Sequence, residues 1–144
     1  MKIKKILDRL LRLHPKSVDL SLDRIKRLLK DLNNPEKKLK NCIQVIGTNG
    51  KFSICSTLRE IYETAGYTVS LNVSPSLRKL NERYYFSGKH ITDNKLYDLL
   101  YEVEKINKGQ NITFHEFICA CFFLEASRTK SDLNILESGL FFRL

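Results

Sequence analysis

The sequence predicts an α/β protein built on a partial parallel sheet with flanking helices. A β-rich run at residues 42–46 leads directly into a glycine-containing turn, and a helical pattern follows that turn. A second β-rich run at 68–73 completes a strand–helix–strand unit, which implies parallel strands and a right-handed crossover. A last β-rich run at 133–136 follows two further helical patterns. Strands that alternate with helices favour a parallel sheet covered by helices.

The composition fits one folded domain. The chain has 144 residues, of which 42% are hydrophobic, and this is enough to bury a core. Its net charge of +9 is compatible with nucleic acid, an anionic membrane surface or phosphorylated ligands as partners. Much of the basic excess lies in the first 40 residues at helical spacing, which favours solvated helix faces. A nucleic-acid-binding protein is a distant alternative, and we expect no nucleic-acid partner.

The sequence also predicts a cytoplasmic protein without a membrane partner. It contains no apolar run long enough to span a bilayer, and its first residues lack the unbroken apolar segment of a secretory leader. The four cysteines have no CxxC spacing, so we expect reduced thiols rather than disulfides or a metal centre.

Helical periodicity predicts five helices. They span residues 3–13, 21–33, 54–65, 93–106 and 113–127. Their end signals are His14-Pro15, the caps Ser21 and Thr92 or Asp93, and Gly66. On the third helix, one apolar face is predicted to consist of Ile54, Leu58, Ile61 and Ala65.

A short hairpin is predicted between the second strand and the fourth helix. Residues 83–86 and 89–91 flank Ser87-Gly88, a pair suited to a tight turn. The segment is expected to be either a hairpin or an ordered excursion between elements of the main sheet.

The turn after the first strand carries the strongest chemical signal. The first N–H groups of a helix are unpaired and can bind phosphate oxygens, and a lysine in the turn adds a positive charge. The standard phosphate-loop pattern fails at Val45 and Phe52, so an ordinary glycine-containing turn is the alternative. The predicted phosphate-binding residues are Gly47, Thr48, Asn49, Gly50, Lys51, Phe52 and Ser53.

The loop matches the variant Gly-Thr-Asn-Gly-Lys-x-Ser of the Mur ligase superfamily, with its hydroxyl at Ser53. Four further segments resemble the folate branch of that superfamily. They are residues 19–25, 74–77 with 81–83, 113–120 and 137–144. Because these segments occur in the right order along the whole chain, the sequence is identified as the N-terminal portion of a member of the folylpolyglutamate synthase and dihydrofolate synthase family.

This resemblance implies an ATP-dependent ligase. ATP would phosphorylate a carboxyl group of dihydropteroate or a folate, and the amino group of L-glutamate would attack the acyl phosphate. The resemblance assigns catalysis to Lys51, Mg²⁺ binding to Ser74 and Glu116, and a substrate contact to Arg83. Glu137, at the carboxyl end of a predicted strand, is a further metal candidate. Without the family, Ser74 is a turn residue, Glu116 a paired structural acid and Arg83 a surface ion-pair partner.

The sequence departs from the family at three small positions and in length. Phe52 replaces a glycine, and Phe141-Phe142 replace a Gly-Gly pair, so we hypothesise that these aromatic residues pack together. Residues 1–144 are interpreted as a truncated ATP-binding domain with an open sheet edge near residues 140–142. The C-terminal glutamate-ligase domain is absent from the sequence, so the isolated chain is expected to be inactive. Full-length members are expected to be monomers.

Two alternatives to this ligase remain open from the sequence. One is another Mur-type amino acid ligase, and the other is a non-catalytic nucleotide-binding or interaction fragment.

Overall fold

The computed structural model describes residues 2–13, 21–76 and 78–139. The helices are α1 (Lys2–Leu10), α2 (Asp23–Asp31), α3 (Lys51–Thr64), α4 (Asp93–Asn107) and α5 (Phe114–Arg128). The strands are β1 (Cys42–Val45), β2 (Val69–Asn72), β3 (Tyr84–Phe86), β4 (Lys89–His90) and β5 (Leu133–Glu137). The predicted α/β class and the approximate positions of the helices are therefore confirmed.

The described strands form one sheet in the order β1-β5-β2-β3-β4. Strand β5 lies between β1 and β2 and is parallel to both, as predicted. The predicted hairpin forms β3 and β4, but β3 also pairs antiparallel with β2, with Leu71 opposite Tyr85. The hairpin is therefore part of the main sheet rather than an excursion from it, and the sheet is mixed.

Short polar side chains fix the starts of α4 and α5. The hydroxyl of Thr92 accepts a hydrogen bond from the backbone N–H of Lys95, which confirms Thr92 as the cap of α4. Thr113 caps α5 in the same way and forms a capping box with Glu116. At the start of α2 the cap position is Leu22 rather than the predicted Ser21. The Ser21 hydroxyl still accepts a hydrogen bond from the backbone N–H of Asp23, at 3.3 Å.

The helix ends follow the turn signals of the sequence. Helix α3 ends at Thr64 and Gly66 follows with a φ of +90°, a conformation that suits glycine. Helix α2 ends before Asn33 and Asn34, which both adopt left-handed backbone conformations. The predicted stop signal His14-Pro15 of the first helix lies outside the described residues.

The two faces of the sheet are covered differently. A large apolar cluster, which includes Phe117 and Phe122 of α5, packs with α1, α2 and α4. A smaller cluster packs on the opposite face beneath α3, around Cys55. The apolar face predicted for α3 is largely outside this cluster, because Ile54 and Ile61 are 51% and 57% exposed. Among the described residues, no helix is long and apolar enough to cross a membrane.

Candidate phosphate and metal site

Three parallel strands deliver the predicted site residues to one edge of the sheet. Strand β1 leads into the phosphate loop, β5 ends at Glu137, and β2 is followed by Ser74. Because β5 lies between β1 and β2, Glu137 stands between the loop and Ser74. The carboxyl edge of parallel strands is where ligands bind in open α/β sheets.

The loop between β1 and α3 has the geometry of an anion-binding turn. Gly50 is the N-cap residue of α3 and has a φ of +75°, a conformation that glycine adopts without strain. No described side chain caps α3, so the N–H groups of its first turn remain available. The aligned peptide dipoles of the 14-residue helix add partial positive charge at this end. The loop can therefore bind phosphate oxygens through its backbone.

Lys51 folds back across the phosphate loop. Its ammonium group donates a hydrogen bond to the carbonyl oxygen of Gly47, at 2.9 Å. This contact holds the positive charge over the turn, where a bound phosphate would meet it. The structure therefore brings Lys51 together with the loop that the sequence assigned to phosphate.

Ser74 and Glu137 are in direct contact. The backbone N–H of Ser74 donates to the Oε2 atom of Glu137 at 2.8 Å. Glu137 is only 7% exposed, and it makes no ion pair with any other described residue. A buried carboxylate requires compensation by positive charge, and one hydrogen bond supplies only part of it. The site therefore has an excess of negative charge beside a phosphate loop.

Glu116 occupies a different environment. Its carboxylate is fully buried and accepts two hydrogen bonds from the guanidinium of Arg24, both at 3.0 Å. It also accepts the backbone N–H of Thr113 at 2.8 Å, which completes the capping box of α5. These contacts match the paired structural acid that the sequence left open. The role of Glu116 as a metal ligand stays a prediction.

Arg83 is buried, which contradicts its interpretation as a surface ion-pair residue. Within the described residues its side chain makes no ion pair and no hydrogen bond, although its charge acts on the thiol of Cys119. A buried guanidinium without an anionic partner can hold a carboxylate or a phosphate. Its predicted contact with substrate is untested and stays a prediction.

A cleft of 720 Å³ opens beside the phosphate loop. Phe52 forms one wall and is 58% exposed, and the other walls include Arg59, Ser74, Arg78 and Glu82 together with apolar residues in and after β2. Phe52 therefore stands at the site rather than in the core. Its hypothesised packing against Phe141-Phe142 involves residues outside the described part of the chain.

A second cavity, of 290 Å³, reaches Glu137 from the opposite face of the sheet. Its walls are largely apolar residues of α2 and α5, and Lys26, Glu36, Gln44, Asn72 and Ser138 add charged and polar groups. The Oδ1 atom of Asn72 is buried and has no hydrogen-bond partner. Sequence reasoning missed Gln44 and Asn72, because their spacing along the strands carries no ligand motif.

Burial makes two of the cysteines poor nucleophiles. Burial raises the pKa of Cys55 to about 11 and the pKa of Cys119 to about 12, so both thiols stay protonated near neutral pH. The described residues include no group of three or more His, Cys, Asp or Glu side chains that could hold a metal ion. Any metal at Ser74 and Glu137 would therefore need further oxygen ligands from water or a bound phosphate.

Similar proteins match most of this chain. The chain is 36% identical over 127 residues to the dihydrofolate synthase/folylpolyglutamate synthase of Bacillus subtilis, covering 83% of this chain and 29% of that protein. It is 31% identical over 132 residues to the enzyme of the same description from Escherichia coli, covering 92% of this chain and 31% of that protein. No protein-family model matches the chain.

Solved structures share the fold of this chain. The chain superposes on E. coli FolC in complex with DHPP and ADP with a TM-score of 0.88 and 30% identity, over 96% of this chain and 33% of FolC. A bifunctional folylpolyglutamate synthase/dihydrofolate synthase with Mn, AMPPNP and L-glutamate bound gives a TM-score of 0.83 at 30% identity, over 93% of this chain and 32% of that one. The chain thus spans about a third of the length of these relatives.

Proposed function

This chain belongs to the dihydrofolate synthase/folylpolyglutamate synthase family, and on that premise we propose that it forms the ATP- and metal-binding part of a ligase that joins L-glutamate to dihydropteroate or a folate. The observation that carries the proposal is the buried carboxylate of Glu137, without a cationic partner among the described residues and beside an uncapped helix terminus. A divalent cation would supply the positive charge that Glu137 lacks, and the phosphates of a nucleotide would supply the negative charge that the helix terminus can bind.

In this proposal the phosphate loop binds ATP. The backbone N–H groups from Gly47 to Ser53 would hold the phosphate oxygens, and Lys51 would leave the Gly47 carbonyl to contact the β- and γ-phosphates. Lys51 acts as the catalytic residue in this proposal, because its charge offsets negative charge that develops as the γ-phosphoryl group departs.

The residues present fit a hard divalent cation. The hydroxyl of Ser74 and the carboxylate of Glu137 are oxygen donors, and Mg²⁺ typically takes one or two carboxylates together with substrate phosphates. We assign Mg²⁺ as the physiological ion, whereas a related structure contains Mn. When bound, the ion would offset charge on the transferred phosphoryl group. Glu116 would act chiefly by anchoring the start of α5.

The proposed reaction has two balanced steps. The carboxylate of the acyl substrate takes the γ-phosphoryl group of ATP, giving an acyl phosphate and ADP. The amine of L-glutamate then forms the amide bond, and phosphate leaves. The family resemblance assigns Arg83 a contact with an anionic group of the substrate, and its guanidinium is buried and makes no ion pair among the described residues.

Alone, the chain is expected to bind nucleotide without ligating glutamate, because it spans about a third of its relatives. The second candidate function, a non-catalytic nucleotide-binding or interaction fragment, is favoured by Phe52, which stands in the phosphate loop where the family has glycine. ADP release that depends on both folate and glutamate would decide for the enzyme. A cytoplasmic location and a monomeric full-length enzyme stay predictions.

Calorimetric titration with ATP, with and without Mg²⁺, tests the site. Lys51→Ala should weaken ATP binding roughly tenfold or more, because it removes a charge-assisted contact. Glu137→Gln should abolish the gain in affinity from Mg²⁺ and leave metal-free binding unchanged. Lys108→Ala, at the far end of α4, is the matched charge control. Undiminished Mg²⁺ dependence in Glu137→Gln, or no ATP binding by the unmodified chain, would overturn the proposal.

A further inference from the structure

A cleft of 470 Å³ lies at the amino ends of the parallel strands, at the opposite edge of the sheet from the phosphate loop. Lys40, Thr68 and Asp132 line it, and each of them comes just before a parallel strand. Residues at the end of α5 also line it. The cleft shares no lining residue with the Phe52 cleft or with the cavity that reaches Glu137. We call it the amino-edge cleft.

The amino-edge cleft carries an excess of positive charge. Lys38, Lys40 and Lys130 line it, are exposed, and make no ion pair with any described residue. The carboxylate of Asp132 accepts hydrogen bonds from the backbone N–H and the hydroxyl of Thr68, at 2.8 and 2.7 Å. These hydrogen bonds lower the pKa of Asp132 and occupy its carboxylate locally. The lysines therefore outnumber the acidic side chain of the cleft, which favours an anionic ligand.

The loop before β5 supplies backbone donors to the cleft. Within the described residues, the N–H groups of Lys130 and Ser131 make no hydrogen bond. Successive unpaired N–H groups of this kind form anion-binding concavities. The C-terminal end of α5 would disfavour an anion, but its carbonyls are partly occupied. The backbone N–H of Thr129 donates to the carbonyls of Glu125 and Ala126.

A buried amide adds a hydrogen-bond acceptor to the cleft. Asn134 lines the cleft and is 3% exposed. Its Nδ2 atom donates to the carbonyl oxygen of Lys40 at 2.8 Å, which fixes the orientation of the amide. Its Oδ1 atom is buried and has no hydrogen-bond partner among the described residues. Because a buried acceptor without a donor is unfavourable, a ligand that brings a hydroxyl group gains affinity there.

We propose that the amino-edge cleft binds a small phosphate monoester that carries a hydroxyl group, as sugar phosphates do. Lys38, Lys130 and the N–H of Ser131 would hold the phosphate, and the Oδ1 atom of Asn134 would accept the hydroxyl. The volume of 470 Å³ lies within the ~300–1,000 Å³ typical of small-molecule sites. Among the described residues no aromatic side chain lines the cleft, which disfavours the stacked bases of a single-stranded nucleic acid. The proposal is independent of ATP binding and of glutamate ligation.

Titration of the full chain with ribose 5-phosphate, followed by backbone amide NMR, tests the proposal. We expect the amide shifts of Lys130 and Ser131 to saturate below about 10 mM. Lys38→Ala/Lys130→Ala should weaken binding at least roughly tenfold, because two charge-assisted contacts are lost. The matched control is Lys105→Ala/Lys108→Ala, which removes the same charge from a separate cleft of 450 Å³. The control should change the Kd by less than about twofold, since charges outside the site are screened.

Inorganic phosphate and ribose provide the comparison that identifies the ligand class. Inorganic phosphate should bind at least roughly fivefold more weakly than ribose 5-phosphate, because it brings no hydroxyl to Asn134, and ribose alone should not bind. Asn134→Leu should remove this preference without changing the Kd for inorganic phosphate, with its fold checked by circular dichroism. Lys51→Ala, in the phosphate loop, should leave the titration unchanged.

Absence of saturable shifts at Lys130 and Ser131 would overturn the proposal, and so would equal weakening in the Lys105→Ala/Lys108→Ala control. Loss of binding in Lys51→Ala would overturn it by placing the ligand at the phosphate loop. Equal Kd values for inorganic phosphate and ribose 5-phosphate in the unmodified chain would also overturn it, whether or not Asn134→Leu folds. That result would reduce the cleft to an unspecific anion site.

Discussion

The two faces of the sheet differ in what they contribute. Within the described residues, four helices cover one face and bury large side chains such as Phe117 and Phe122. On the other face α3 stands alone, and of its side chains Cys55 is the one that is fully buried. The thickly covered face supplies most of the packing that stabilises the domain. The thinly covered face carries the phosphate loop and the Phe52 cleft.

Aromatic packing reinforces the thickly covered face. The rings of Phe86 and Phe122 stack with centroids 5.4 Å apart, and the hydroxyl of Tyr84 donates to the carbonyl of Ile118. Burial raises the pKa of Tyr84 well above its ordinary value, so the phenol stays a donor. These contacts tie the hairpin to α5 and explain why it joins the sheet.

The largest expected effect is a truncation in the large cluster. Phe117→Ala should lower the free energy of unfolding by about 3–5 kcal/mol, because it leaves a cavity among fully buried side chains. Ile61→Ala, on the thinly covered face, should change it by less than about 0.5 kcal/mol. Urea denaturation measures both. Comparable losses in the two variants would contradict the difference between the faces.

A smaller difference in stability is expected between variants of the two buried glutamates. Glu116→Gln should cost about 2 kcal/mol, because Arg24 loses a charged partner in a largely buried ion pair. Glu137→Gln should leave stability unchanged or slightly increased without metal, since its carboxylate has no ion pair among the described residues. Thermal unfolding with a chelator present checks the pair. Equal destabilisation would show that both glutamates are structural acids.

The smallest expected effect on stability comes from an ion pair on the outer surface of the thickly covered face. Arg128 of α5 holds Glu102 of α4 through two hydrogen bonds, which lower the pKa of that carboxyl below its ordinary 4.5. The pair therefore stabilises the fold above about pH 4.5, and its contribution is lost as the pH falls through the lowered pKa.

Because the pair is exposed and screened, we expect well under ~1 kcal/mol from it. Glu102→Gln should flatten this part of the acid unfolding profile. An unchanged pH dependence in the variant would assign the effect to other groups.

Local chemistry made much of the site predictable. The turn at Gly50 and the cap at Thr92 depend on residues within a few positions of each other, so the chain encodes them directly. The phosphate loop could be placed for the same reason, since a strand, a glycine turn and a helix are consecutive.

Contacts between residues that are distant in the sequence were harder to predict. Ser74 and Glu137 are 63 residues apart, and both were selected as metal candidates, but their contact follows from β5 entering between β1 and β2. Arg24 and Glu116 are 92 residues apart, and nothing in the segment around Arg24 predicted a buried ion pair. Such pairings depend on which elements become neighbours.

By itself, the sequence determined the α/β class, the position of the phosphate loop and the family resemblance, because each depends on periodicity or on short motifs. The tertiary structure decided which flank of α3 meets the sheet, where the hairpin pairs, and which buried glutamate has a cationic partner. Apolar spacing marks a helix face as suited to burial, but the neighbouring elements determine whether anything covers it. On α3, Leu58 of that face packs against the smaller cluster, whereas Ile54 and Ile61 stay more than half exposed.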